Sequence, residues 1–186
     1  MHPLIIEKKE IRYFIPLLED VLNYENENVL SAFLLKYRVT KNEALDIFHE
    51  TKKFLWVFAK AENEQQVFSV DVNMLMIDEM WHNFILCTPQ YVEFCQHYFG
   101  NYIHHRSLTR DHVDKLESNM QNFQDKMTAL HEEITRATYS YVYDHLGAQT
   151  LVKWYEEFAE KYTPAVIKSL DTRYEHHLSK CNTTVC

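Results

Sequence analysis

The sequence predicts an all-α protein, a single-domain bundle of about seven or eight helices that includes one long helix. Two observations favour this fold class. The 186 residues contain only two glycines and four prolines, well below the average usage of about 7% and 5%. No Asn-Gly or Asp-Gly pair, the strongest short signal of a β-hairpin, occurs in the chain. A chain of this length fits one domain, which we expect to span residues 1–186.

Apolar residues recur at helical spacing in the N-terminal third of the chain. Residues 4–22 and 29–37 each predict a helix with one apolar side, although Pro16 must kink the first or start a new helix. Thr40 and Glu43 form a capping-box pattern, in which each side chain bonds a free backbone N–H at the helix start. This pattern predicts the start of a third helix, which by its periodicity ends near Ala61.

Two further helices are predicted from their end signals. Ser69 or Asp71 can accept hydrogen bonds as the N-cap of a fourth helix. Thr88 followed by Pro89 is typical of a helix start, because proline fits the first helical position. Gly100 predicts the end of this fifth helix, since glycine adopts the left-handed conformation without a Cβ penalty.

A long helix is predicted from about Asp111 to Leu146, with Gly147 as its end. Its apolar residues are spaced alternately four and three apart, as in a coiled coil. This seam consists of Leu116, Met120, Phe123, Met127, Leu130, Ile134, Ala137 and Tyr141. It is a packing surface for the rest of the chain, for a second copy in a homodimer, or for a protein partner. Residues 150–162 and a segment that starts at Thr163 predict the last helices.

Charge and cysteine usage bound the functional class. The formal net charge is −8, which argues against a nucleic-acid partner because phosphate binding needs a basic surface. The apolar runs are too short for a membrane span. Four cysteines without a paired Cys-x-x-Cys motif do not indicate a secreted disulfide framework, and we interpret Cys181 and Cys186 as incidental thiols. We therefore expect a soluble, cytoplasmic protein.

Asp78 and His82 lie in an apolar stretch, residues 77–86, with Trp81 between them. Residues four apart share one face of a helix, so both side chains should point the same way from adjacent turns. Both can bind one metal ion, or Asp78 can hold the second ring nitrogen of His82 and fix its tautomer. The alternative is that Asp78 and His82 form a buried, hydrogen-bonded pair with only a structural role.

Three more potential ligands follow: Cys95, His104 and His105. Adjacent histidines outside a helix diverge, so either His104 or His105 can turn toward His82. His82, one of these two histidines and Asp78 form a two-histidine, one-carboxylate set. Such a set suits zinc or iron and leaves coordination positions open. Cys95 is either a fourth ligand or a small core residue, since free cysteine is among the most buried residue types.

Several motifs in this region resemble one known family. Their shared pattern is an acidic residue before Trp-His, then Tyr, Phe-Cys, Phe-Gly and His-His, matched here by Asp78, Trp81, His82, Tyr91, Phe94, Cys95, Phe99, Gly100, His104 and His105. The pattern resembles the glycine-rich-domain-containing-protein-like family, in its small stand-alone bacterial type. The resemblance covers residues 40–105 and implies one structural unit, whereas the helices in residues 107–180 lie outside it. It implies no activity, so whether the protein is an enzyme stays open.

Three functional hypotheses remain, of which the third, a carrier of apolar ligands, rests only on the many aromatic residues and six methionines. In the first, the protein binds zinc or iron through the predicted ligands and could use the open positions for metal-dependent catalysis of an unassigned reaction. In the second, it is a non-enzymatic interaction module. The Asp, Trp and His side chains then form a structural polar network, while the seam from Leu116 to Tyr141 binds a partner.

Overall fold

The computed structural model describes residues 12–66, 68, 72–105 and 123–173, which form a bundle of α-helices. No β-strand occurs in these residues, although an isolated antiparallel bridge joins Tyr37 and Asp171. The all-α prediction and the presence of one long helix are therefore confirmed. Among the described helices none is both long and apolar enough to cross a membrane.

The helices follow one another with short connections wherever the intervening chain is described. Their bounds are α1 Leu18–Leu22, α2 Glu27–Lys36, α3 Lys41–Asn63, α4 Leu75–Leu86, α5 Thr88–Phe99, α6 Phe123–Val152, α7 Phe158–Lys161 and α8 Pro164–Leu170. A 3-10 turn, Val72–Met74, precedes α4, and a π-helical turn, Lys153–Glu157, joins α6 to α7.

Several predicted helix ends are confirmed. The Thr40 side chain accepts from the backbone N–H of Glu43, and the Glu43 carboxylate accepts from the backbone N–H of Thr40. Gly100 ends α5 with φ at 69°, in the left-handed region. The assignment of Thr88 as the N-cap of α5 is wrong, because Thr88 is already helical and its hydroxyl donates to the carbonyl of Ile85. The predicted caps Ser69 and Asp71 lie outside the described residues.

The predicted run over residues 4–22 is interrupted at Pro16: residues 12–17 are not helical, and a new helix, α1, begins at Leu18. Pro16 lacks a backbone N–H, and the residue before a proline is disfavoured in helical conformation. Tertiary hydrogen bonds then fix this non-helical backbone. Asn63 bonds both the N–H and the carbonyl of Tyr13, and the Trp56 indole donates to the carbonyl of Pro16. Residues 4–11 lie outside the described part.

Helix α6 is long, but only part of the predicted seam faces inward. Within the described part, Thr138 and Val142 are buried and the seam residue Tyr141 packs against the core, whereas the seam residue Ala137 is exposed. The backbone departs from helical geometry at Gly147, with φ 81° and ψ 170°, so the predicted break there is confirmed. Leu116, Met120 and the predicted start at Asp111 lie outside the described residues, and partner binding by the seam stays a prediction.

Helix α3 is the central element of the bundle. Helices α1, α2, α4 and α6 all pack against it, and the side chains of Phe54, Leu55 and Val57 are completely buried. Helix α4 lies against α3 and α5, with Met80 and Phe84 in the core. The opposite side of α4 reaches the surface, which leaves its polar residues available for a site.

Candidate metal centre

Helix α4 positions the first two predicted ligands. Asp78 and His82 are one turn apart, and the His82 Nδ1 atom lies 3.5 Å from the Asp78 Oδ2 atom. The side chain of His82 is 42% exposed and that of Asp78 is 18% exposed. The pair therefore lies at the edge of the core, where solutes can reach the imidazole.

His105 completes the group from a different segment. Its Nε2 atom lies 2.8 Å from the Asp78 Oδ1 atom, and its ring centroid is 4.4 Å from that of His82. The Trp81 ring also packs on His105, with centroids 4.4 Å apart. His104 is exposed and lies against Tyr102 instead. Of the histidine pair, His105 faces the site and His104 does not.

The turn after α5 explains why His105 reaches α4. Gly100 reverses the chain direction, and the non-helical segment that follows returns along α5. The Trp81 indole donates a 2.8 Å hydrogen bond to the Tyr91 hydroxyl, which donates at 2.7 Å to the carbonyl of Ile103. All three residues are buried. This connection, which sequence reasoning missed, holds the chain two residues before His105.

Cys95 lies in the core and outside the cluster of Asp78, His82 and His105. Burial raises the pKa of its thiol to about 11, although hydrogen bonds with the Ile103 backbone and Tyr91 act in the opposite direction. The structure supports the core interpretation of Cys95.

The geometry of the cluster suits one metal ion. Asp78, His82 and His105 each offer one ligand atom, and these three atoms lie within 4.8 Å of one another. Bonds from nitrogen or carboxylate oxygen to zinc are about 2.0–2.2 Å long, so two ligands of one ion can be no more than about 4.4 Å apart. The observed spread of 4.8 Å is close to this limit.

Glu79 is a second acidic neighbour that sequence reasoning missed. Burial raises the pKa of Glu79, but hydrogen bonds from Lys36 and Tyr37 and the charges of Lys36 and His82 outweigh this effect, so the pKa lies below its ordinary value. The Lys36 ammonium is 2.7 Å from the Glu79 Oε2 atom. The carboxylate is thus ionised beside the cluster. The sequence could have indicated this neighbour, because Glu79 directly follows Asp78 and precedes His82 by three residues.

Comparison with known proteins identifies the family. A family model described as UCP032817-like matches residues 19–124, more than half of the chain. The chain belongs to the UCP032817-like family. The resemblance to the glycine-rich-domain-containing-protein-like family is therefore wrong. No curated protein and no solved structure matches the chain. The UCP032817-like match includes Asp78, His82 and His105 and ends near the start of α6.

Proposed function

We propose that this member of the UCP032817-like family binds one divalent transition-metal ion, zinc or ferrous iron, through Asp78, His82 and His105. One observation carries the proposal. Two imidazoles and one carboxylate, contributed by α4 and by the segment after α5, converge with their ligand atoms within 4.8 Å at a partly exposed position. Neutral imidazole and carboxylate are ordinary ligands of both metals.

The ligand number favours a reactive site over a closed structural one. Structural zinc sites are four-coordinate and filled by protein ligands, whereas catalytic sites keep three protein ligands and an open position. Two histidines and one carboxylate also form the facial triad of non-haem iron sites. Zinc in this site would support hydrolysis by activating a bound water, and iron would support oxidation. The identity of the metal therefore decides the reaction class.

The competing function is a polar network that fixes the segment after α5 without a metal. Asp78 interacts with both His82 and His105, so the cluster has internal partners. Such a network would make the three residues important for stability and irrelevant for metal content. The interaction-module hypothesis, with the Leu116–Tyr141 seam as the partner surface, belongs to this alternative.

The test is metal binding by the purified full chain and by matched histidine variants. The protein is stripped of metal, reconstituted with zinc, iron or cobalt under reducing conditions, and analysed by elemental mass spectrometry and cobalt absorption. We expect near-stoichiometric metal in the wild type and a loss of at least tenfold in affinity for His82→Ala and His105→Ala. His104→Ala is the matched control, because His104 adjoins His105 and is exposed outside the cluster.

Two results would overturn the proposal. The first is absence of bound metal in the reconstituted wild type while circular dichroism shows the helical fold. The second is equal metal affinity in the wild type, His82→Ala and His105→Ala. Either result, combined with a loss of stability in the two variants, would favour the polar network.

A further inference from the structure

We propose that Tyr91 is the positioning residue of this centre, and that its hydroxyl sets the metal affinity by holding His105 in place. The inference rests on the proposed function, because it concerns the same ligands. Tyr91 is not one of the three residues whose ligand atoms converge. It acts through the backbone of the segment that carries His105.

The argument begins with the reach of the chain. The Tyr91 hydroxyl donates to the carbonyl of Ile103 at 2.7 Å, two residues before His105. Each residue extends the chain by at most about 3.6 Å, so a fixed Ile103 keeps the His105 backbone within about 7 Å of it. Tyr91 and Ile103 are completely buried, which makes their bond costly to replace because water has no access.

The same hydroxyl connects this segment to the helix that carries the other two ligands. The Trp81 indole of α4 donates to Tyr91 at 2.8 Å, which orients the hydroxyl toward Ile103. The Trp81 ring also packs on the His105 ring. Tyr91 therefore joins α4, α5 and the segment after Gly100 at one point. A ligand set built from separate elements needs this kind of preorganisation, since supporting residues fix the ligand orientation.

A purely structural role would have a different signature. If Tyr91 only stabilised the bundle, its loss would disturb Asp78 and His82 as well as His105. If it acts through His105, its loss should have no further effect once His105 is gone. A double-mutant cycle with Tyr91→Phe and His105→Ala separates these cases, because coupled residues give non-additive effects.

The measurement is the cobalt and zinc dissociation constant of the wild type, Tyr91→Phe, His105→Ala and the double variant. We expect a 10- to 100-fold weaker affinity for Tyr91→Phe, the usual effect of losing a group that supports a ligand, and a cobalt spectrum that shifts toward that of His105→Ala. In the His105→Ala background, Tyr91→Phe should leave the affinity unchanged. Tyr102→Phe is the control, since it removes a hydroxyl from the same segment and its ring contacts Tyr91.

The outcomes separate the two proposals. If the wild type binds no metal, the metal centre itself is refuted. If the wild type binds metal and Tyr91→Phe binds it equally well, or weakens binding equally in both backgrounds, only the role of Tyr91 is refuted. A second measurement needs no variant: nuclear Overhauser contacts between the Trp81 and His105 rings should already exist in the metal-free protein. Their absence would contradict preorganisation, even if Tyr91→Phe does not fold.

Discussion

Two polar clusters of this protein contain carboxylates beside nitrogen-bearing side chains, yet their chemistry differs. The first is the candidate metal centre of Asp78, His82 and His105. The second, which we call the Glu50 cluster, consists of Glu50 and Lys53 of α3 and Trp154 and Lys153 of the π-helical turn. The Glu50 side chain is only 2% exposed, whereas His82 of the metal centre is 42% exposed.

The Glu50 cluster is complete by itself. Glu50 accepts from the Trp154 indole at 2.8 Å and from the Lys53 ammonium at 3.0 Å, and Lys153 lies 3.5 Å away. Lys153 is in turn paired with Asp46 at 2.5 Å. Ammonium and indole groups have donors but no lone pair for a metal. This cluster therefore joins the C-terminal helices to α3, and its carboxylate is already neutralised by ammonium groups that repel a metal ion.

The metal centre differs in the type of partner. Each neutral imidazole has one nitrogen with a free lone pair, so His82 and His105 can bind a cation that an ammonium would repel. Exposure of His82 gives an ion access to the site. The comparison teaches that burial and pairing of a carboxylate do not identify a functional site, because the chemistry of its partners decides what it can bind.

The largest expected effect is that of Glu50→Ala. Glu50→Ala should cost about 3 kcal/mol, the low end for removing one partner of a buried ion pair, because the buried Trp154 indole loses its acceptor while Lys53 and Lys153 are partly exposed. Urea denaturation should show this loss of unfolding free energy, while the folded variant keeps its metal affinity. A loss of unfolding free energy below about 1 kcal/mol would show that the Glu50 cluster contributes no more than a surface ion pair. The distinction between the two clusters by burial would then be wrong.

Metal should stabilise the wild type more than His82→Ala, which would gain only about 1.4 kcal/mol at the same metal concentration if its affinity falls tenfold. A ligand present at a hundred times its dissociation constant adds about 2.7 kcal/mol to the unfolding free energy when it binds only the folded state. The check is thermal or urea unfolding with and without zinc. Equal stabilisation of both proteins would mean that zinc binds elsewhere and would contradict the assigned centre.

Lys52 is a further buried charged group to set beside the two clusters, and its hydrogen bonds go to backbone carbonyls. Its ammonium donates to the carbonyls of Leu22 and Tyr24, and burial lowers its pKa to about 8, against a small opposing effect of Glu25. The unfolded protein, with an ordinary lysine, binds more protons between pH 8 and 10, so this residue's contribution to stability should rise with pH there.

The measurement for Lys52 is the difference in unfolding free energy between the wild type and Lys52→Met at several pH values. The wild type should gain on the order of 2 kcal/mol relative to the variant from pH 8 to pH 10, because one pKa unit corresponds to about 1.4 kcal/mol. The difference between the two proteins cancels tyrosine ionisation. A pH-independent difference would rule out the lowered pKa.

The smallest expected effect is that of Glu27→Ala. Glu27 pairs with Lys41 at 3.0 Å, but the two side chains are 77% and 58% exposed. Exposed pairs contribute less than about 1 kcal/mol because water and salt screen them, so denaturation should hardly distinguish the variant from the wild type. A loss comparable to that of Glu50→Ala would show that burial is not the deciding difference.

Local signals predicted much of the helical framework. The capping box at Thr40 and the left-handed Gly100 involve residues within one turn of each other, so the sequence contains the whole interaction. Pro16 predicted an interruption before α1, but the path of residues 12–17 was not predictable in this way, because Asn63 and Trp56 hold it from far along the chain. The apolar spacing of α6 similarly failed at Ala137, because the orientation of α6 depends on the surface it packs against.

The sequence by itself determined the helical fold class, the break at Gly147 and the shared face of Asp78 and His82, because these follow from backbone chemistry and helical spacing. Only the tertiary structure decided that His105, and not His104, faces Asp78, and that Cys95 belongs to the core. The physical reason is that both outcomes depend on how α4, α5 and the segment after Gly100 pack against one another. A hydrogen bond between α5 and a returning segment has no periodic signal in the chain, since it forms only after the helices have packed.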